Sequence, residues 1–237
     1  MLKPLLLLLA LSLTQSNVLA AELQPFLLTY KASYGNMEAT AMRSLSQPVG
    51  SGNWEMKSKV EVKLLGATLT GIEETSSFGW QHELPVSVSY NYEQKGLGKR
   101  QRKLEFAAAG QSANYTNGDK SGVITLTPPA FDSLNSTLVL RNHLLAGETD
   151  ISFAVADKTE ASIQHYHVAG KENIVTPAGT FNSVHIQRVR DNDSKRTTDL
   201  WLAPEHDYVL VKLLQTEPDG NIISLQLKTG AVGGQAI

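Results

Sequence analysis

The chain has 237 residues, 23 acidic against 21 basic side chains, and a composition 41% hydrophobic and 19% charged, which is globular rather than disordered or fibrous. The formal charge of −2 argues against a nucleic-acid partner. The absence of cysteine excludes disulfides, cysteine-ligated zinc, iron–sulfur clusters, thiol catalysis and lipid attachment to a cysteine.

Residues 1–20 have the layout of a secretory signal peptide. Lys3 supplies the basic start, an apolar run over 5–13 is broken only by Ser12, and Val18-Leu19-Ala20 offers small residues before a cut. The run is shorter than the roughly 20 residues that span a bilayer. Cleavage is expected after Ala20, with Ala21 as the second choice, leaving 21–237 as a single β-rich domain. Such a chain is expected in a bacterial periplasm. It is expected to carry neither a lipoprotein anchor nor a transmembrane segment in the mature chain.

The mature chain reads as strands. Trp54, Met56, Val60, Val62 and Leu64 alternate with Glu55, Lys57, Lys59, Glu61 and Lys63, and only Ser58 interrupts the apolar row. This period of two turns one row to a core and the other to water. Val86, Val88, Tyr90 and Tyr92 repeat the pattern. Similar runs cover about 27–34, 67–80, 102–107, 123–126, 151–156, 161–168, 180–190, 197–202, 208–215 and 222–228. Asn117-Gly118-Asp119 and Pro218-Asp219-Gly220 are strong tight-turn signals.

One segment departs from this pattern. After Pro128-Pro129, Asp132 is placed to cap a helix over about 132–145, and Gly147 to close it. Phe131, Leu134, Leu138 and Leu145 fall on one face, widened by Leu140 and Leu144. The expected fold is mainly β: a single curved antiparallel sheet or open β-barrel, with this one amphipathic helix packed against the concave side. Leu134, Leu138 and Leu145 are then the expected lining of an apolar ligand cavity, with Asn135 and Asn142 nearer water. Residues 208–214 are apolar on both faces, as in a strand covered twice.

Asp132-Ser133-Leu134, Leu140-Arg141 and Gly147, then Val168-Ala169-Gly170-Lys171-Glu172, resemble the exported bacterial family called domain of unknown function 3108. The resemblance is sharpest at 174–181 (Ile174-Val175-Thr176-Pro177-Ala178-Gly179-Thr180-Phe181). It recurs at Trp201-Leu202-Ala203-Pro204 with Tyr208 and Val211-Lys212, although Leu210 stands where the family usually has proline. It implies a secreted or periplasmic β-rich protein and no assigned activity. Physically, Thr176-Pro177-Ala178-Gly179 is a turn, and Pro204 ends a strand.

Signals for chemistry are sparse. His165 and His167 flank Tyr166 and share a strand face; with His185 on a neighbouring strand they are weak candidates for a metal site. Asp191-Asn192-Asp193-Ser194 starts like a calcium loop but has Arg196 and Leu202 where glycine and glutamate belong, so a polar hairpin turn is the better reading. Lys95, Lys99, Arg100, Arg102 and Lys103 form a basic cluster suited to an anionic partner, or to guarding a hairpin against edge pairing. No catalytic residue and no cofactor is expected. The leading function is binding of a lipid or other apolar ligand in the curved sheet. The alternative is an envelope assembly or structural factor that acts through protein contacts, and a hydrolase has the least support.

Overall fold

The computed structural model describes residues 22–237, apart from 65, 66, 97 and 191–193. The expected signal peptide and the core of the 191–194 loop lie outside the described residues. The first half of the chain forms β1 (Phe26–Tyr34), β2 (Met37–Ser46), β3 (Trp54–Leu64), β4 (Ala67–Gln81), β5 (Leu84–Gly96), β6 (Arg100–Phe106), β7 (Ser112–Asn117) and β8 (Lys120–Thr125). The short β9 (Ala130–Asp132) leads to the helix α1 (Ser136–Leu145). Then come β10 (Asp150–Asp157), β11 (Glu160–Thr176), β12 (Gly179–Val189), β13 (Thr197–Ala203), β14 (Val209–Thr216), β15 (Ile222–Val232) and a two-residue β16 (Gln235–Ala236).

These strands make one curved sheet. Two meanders, β1 to β8 and β10 to β15, join where β1 pairs antiparallel with β15 along its length, and β9 adds to β10 in parallel at the far edge. The sheet does not close: β8 and β9 are its edges. It curls far enough, however, for side chains to bridge the gap. Ser76 Oγ of β4 donates to Asp132 Oδ2 of β9 at 2.6 Å, and Arg102 of β6 reaches Asp157 of β10 at 2.9 Å.

Helix α1 lies inside this curve, because its side chains join the cores of both halves. Leu134, just before it, and Leu138 pack with Leu45, Met56, Phe78, Tyr90 and Leu104 from the first meander. Val139, Leu140 and Leu144 pack with Ile151, Phe153, Val184, Ile186, Leu200 and Leu210 from the second. The helix is therefore buried round most of its circumference, Ser136 and Arg141 included, rather than along a single stripe.

Three local expectations are corrected. The helix starts at Ser136, not near 132, because Asp132 caps a preceding turn: its Oδ1 accepts the N–H groups of Leu134 and Asn135, both at 2.9 Å. Asn135 is fully buried rather than near water. Its Oδ1 accepts from Asp132 N at 3.0 Å and its Nδ2 donates to Ser87 Oγ at 2.9 Å, fastening the turn to β5. Strands β2, β7, β9 and β16 have no counterpart among the expected runs. The C-terminal end follows the expectation: Gly147 has φ +79°, its N–H donates to Leu144 O, and Glu148 N–H donates to His143 O.

The doubly covered strand is β14, where Val209, Leu210 and Val211 are buried in succession. Leu210 belongs to the core around α1, while Val209 and Val211 pack with Ile174 and Phe181 of the β11–β12 hairpin. The turn at Pro177-Ala178 reaches across to β15, where Ala178 N–H donates to Leu227 O at 3.1 Å.

Candidate functional site

A cavity of about 300 Å³ opens between α1 and the concave face of the sheet. Its walls are the inward rows set by strand alternation: Leu28 and Tyr30 from β1, Leu45 from β2, Met56 from β3, Leu210 from β14 and Leu213 beside it. Leu134 and Leu138 line it from the helix side. Leu145 does not; it sits at the helix C-terminus, 47% exposed and beyond the cavity. The last turn points its Leu144, not Leu145, into the core.

The polar groups at this cavity are few and placed. Tyr30 is buried and its hydroxyl donates to Leu210 O at 2.9 Å, tying β1 to β14 across the space. Burial pushes its phenol well above the ordinary range, against the nearby positive charge of Arg43. Arg141 Nε donates to Asp207 Oδ1 at 2.7 Å, so a buried cation on α1 meets a partner following β13. Asp207 has φ +57°, a conformation that Asp tolerates better than most residues. Arg43, Ser58 and Glu74 lie on the sheet wall. Beneath the helix entrance, burial raises the Asp132 carboxyl to about 6, against the hydrogen bonds from Ser76, Asn135 and Leu134 that favour its charged form.

The histidines do not come together as a ligand set. His165 faces Ser152 Oγ at 2.7 Å, and His167 Nδ1 is 2.7 Å from Asp150 Oδ1, each bonded across to β10. His185 pairs in register with Gly170, past a bulge that follows Val168, and so stands opposite neither of them. Its Nε2 is 2.8 Å from Asp199 Oδ1 and its Nδ1 3.2 Å from Glu172, while its ring stacks on Trp201 at 4.6 Å. Among the described residues no group of three histidine or carboxylate side chains is arranged to hold a metal ion.

The basic cluster splits between the two faces of its hairpin. Arg102 pairs in register with Tyr92, stacks 3.8 Å from its ring and bonds Asp157. Lys95 and Lys103 are exposed and meet Glu93 and Glu105 at 3.1 and 2.5 Å. Lys99 and Arg100 are exposed at the turn. Most of its positive charge is thus met locally by carboxylates.

Period two in the strands carries the apolar cavity walls, but it does not show which strands meet under the helix. Nothing in the residue pattern marks Arg43 and Glu74 as wall residues. The only trace of their row was Ser58, the break in the alternation of β3.

A family model described as "Protein of unknown function (DUF3108)" matches residues 29–228. No curated protein matches the chain. Among solved structures the chain is similar to a β-barrel-like protein of domain of unknown function DUF1849 from Brucella abortus. The TM-score is 0.60 and the identity 8%, covering 90% of this chain and 99% of that one. At that identity the likeness is one of fold.

Proposed function

We propose, starting from a chain that belongs to the DUF3108 family of proteins of unknown function, that it binds a single-chain apolar ligand between α1 and the concave face of its sheet. The binding takes place in the cell envelope after export. The observation that supports this reading is the cavity of about 300 Å³ under the helix, at the lower end of the range for small-ligand sites. Its chemistry is that of a binding site: apolar walls with a few placed polar groups. The layout of residues 1–20 supports export, and a periplasm would supply such ligands from lipid turnover. Helix α1 then acts as the cover of the site, with Leu134 and Leu138 against the ligand.

The test is uptake of a fluorescent fatty acid by the purified protein, with displacement by unlabelled palmitate. Saturable uptake near one equivalent is expected. Folded protein that takes up no probe, and yields no bound lipid on extraction and mass spectrometry, would refute the proposal.

A further inference from the structure

The wall that β2, β3 and β4 give to the cavity carries one row of polar side chains in a mainly apolar surface. Arg43 pairs in register with Ser58, and Ser58 with Glu74. All three line the cavity. Neighbouring strands lie about 4.8 Å apart, so two opposite charges stand on one wall, two strands apart, with a hydroxyl between them.

Among the described residues both charges have only neutral partners. Arg43 Nη2 donates to Thr137 Oγ1 of α1 at a long 3.5 Å, and Glu74 Oε1 accepts from Tyr90 Oη at 2.6 Å. Among the described residues neither has an opposite charge within ion-pair distance. The other two charges at the cavity, Arg141 and Asp207, are bonded to each other. A charge beside an apolar space is costly without a counter-charge. A ligand with an anion alone would satisfy Arg43 and face Glu74, and a cation alone would do the reverse.

We propose that Arg43, Ser58 and Glu74 are the head-group subsite of the cavity and that its ligand is a zwitterionic single-chain amphiphile. Its anionic group, a carboxylate or a phosphate, sits on the Arg43 fork, whose planar donors match either. Its ammonium faces Glu74, and its chain lies against Leu45, Met56, Leu138 and Leu210. This rests on the apolar-ligand reading above and adds the head-group to it.

Titration calorimetry below micelle concentrations, with probes of matched chain length, tests it. The probes are lysophosphatidylethanolamine, an alkyl betaine, a fatty acid and an alkyl glucoside. The two zwitterions should bind more tightly than the fatty acid and the glucoside. Arg43→Gln should weaken both zwitterions and the fatty acid at least about tenfold, the scale of one charge-assisted bond, and leave the glucoside unchanged. Glu74→Gln should weaken the zwitterions and not the fatty acid. Thermal melting confirms that each variant is folded, and Arg43→Lys, which keeps the charge, should retain part of the affinity. Equal binding of glucoside and zwitterions, or zwitterion affinities unmoved in the folded variants, would overturn the subsite and leave the apolar-ligand reading standing. No binding of any probe to folded protein would remove both.

Discussion

Truncating Leu138 probes the contact between helix and sheet on which the cavity depends. Leu138 is 5% exposed and packs with Leu45, Met56, Phe78 and Tyr90. Leu138→Ala removes three carbons from that contact, about 2.4 kcal/mol at roughly 0.8 kcal/mol per methylene. A void left in a closed core raises such losses towards about 5 kcal/mol. Here the side chain already borders a cavity, so the added void term is small and the expected loss is about 2–3 kcal/mol. Two controls lie on the same helix. Leu145→Ala, at an exposed position, should cost within about 0.5 kcal/mol. Asn142 is half-buried, with Oδ1 accepting from Arg141 Nη1 at 2.9 Å, and Asn142→Ala should cost about 1 kcal/mol or less. Urea denaturation with a shared m-value separates the three. Equal, small losses for Leu138→Ala and Leu145→Ala would refute the placement of α1 inside the curve.

Other consequences can be checked independently. Burial raises the Asp132 carboxyl from 3.8 to about 6, so the folded chain takes up this proton before the unfolded chain does. Its contribution therefore makes stability fall as pH rises between those two values. Asp132→Asn keeps an acceptor for the Leu134 and Asn135 N–H groups and should flatten that slope in denaturation midpoints; an unchanged slope would contradict the assignment. At Gly230, opposite Leu28, an added Cβ would come within 2.5 Å of Leu28 Cδ2 and 3.0 Å of Leu27 O. Gly230→Ala should therefore lose about 1–3 kcal/mol by calorimetry, and a neutral result would mean that β1 and β15 pair differently. Tyr30→Phe deletes the bond to Leu210 O and should cost about 1 kcal/mol, read from the same denaturation curves. N-terminal sequencing of envelope material should begin at Ala21 or Glu22, and retention of Met1 would reject export with cleavage.

Strands were legible where an apolar row faces a charged one, as in β3. In β5 the alternation marks the strand but not its faces: the register shift that skips Val88 turns Val86 and Val88 outward, 40% and 42% exposed, and Ser87 inward, so only Tyr90 and Tyr92 keep the expected side. Strands were not legible in β2, where the inward row is Ala39, Ala41, Arg43 and Leu45: two small residues and a charge hide the alternation. In β7 the inward pair is Ala113 and Tyr115 amid polar neighbours, and β9 has three residues. The helix was visible from its leucines, but its start was not. Asp132 and Asn135 use their side chains on the turn and on β5, and that depends on contacts distant in sequence. The pairing of β1 with β15, which sets the cavity, joins the two ends of the domain and leaves no local signal. For the same reason the Arg43–Ser58–Glu74 row appears only once three strands lie side by side.

The most direct test of the central claim is where a ligand sits. A crystal grown with a fatty acid brominated near its tail should show anomalous bromine density between α1 and the concave face, in contact with residues such as Met56, Leu138 and Leu210. Bromine found only on the outer face of the sheet, in crystals of protein saturated with the same ligand, would contradict the account.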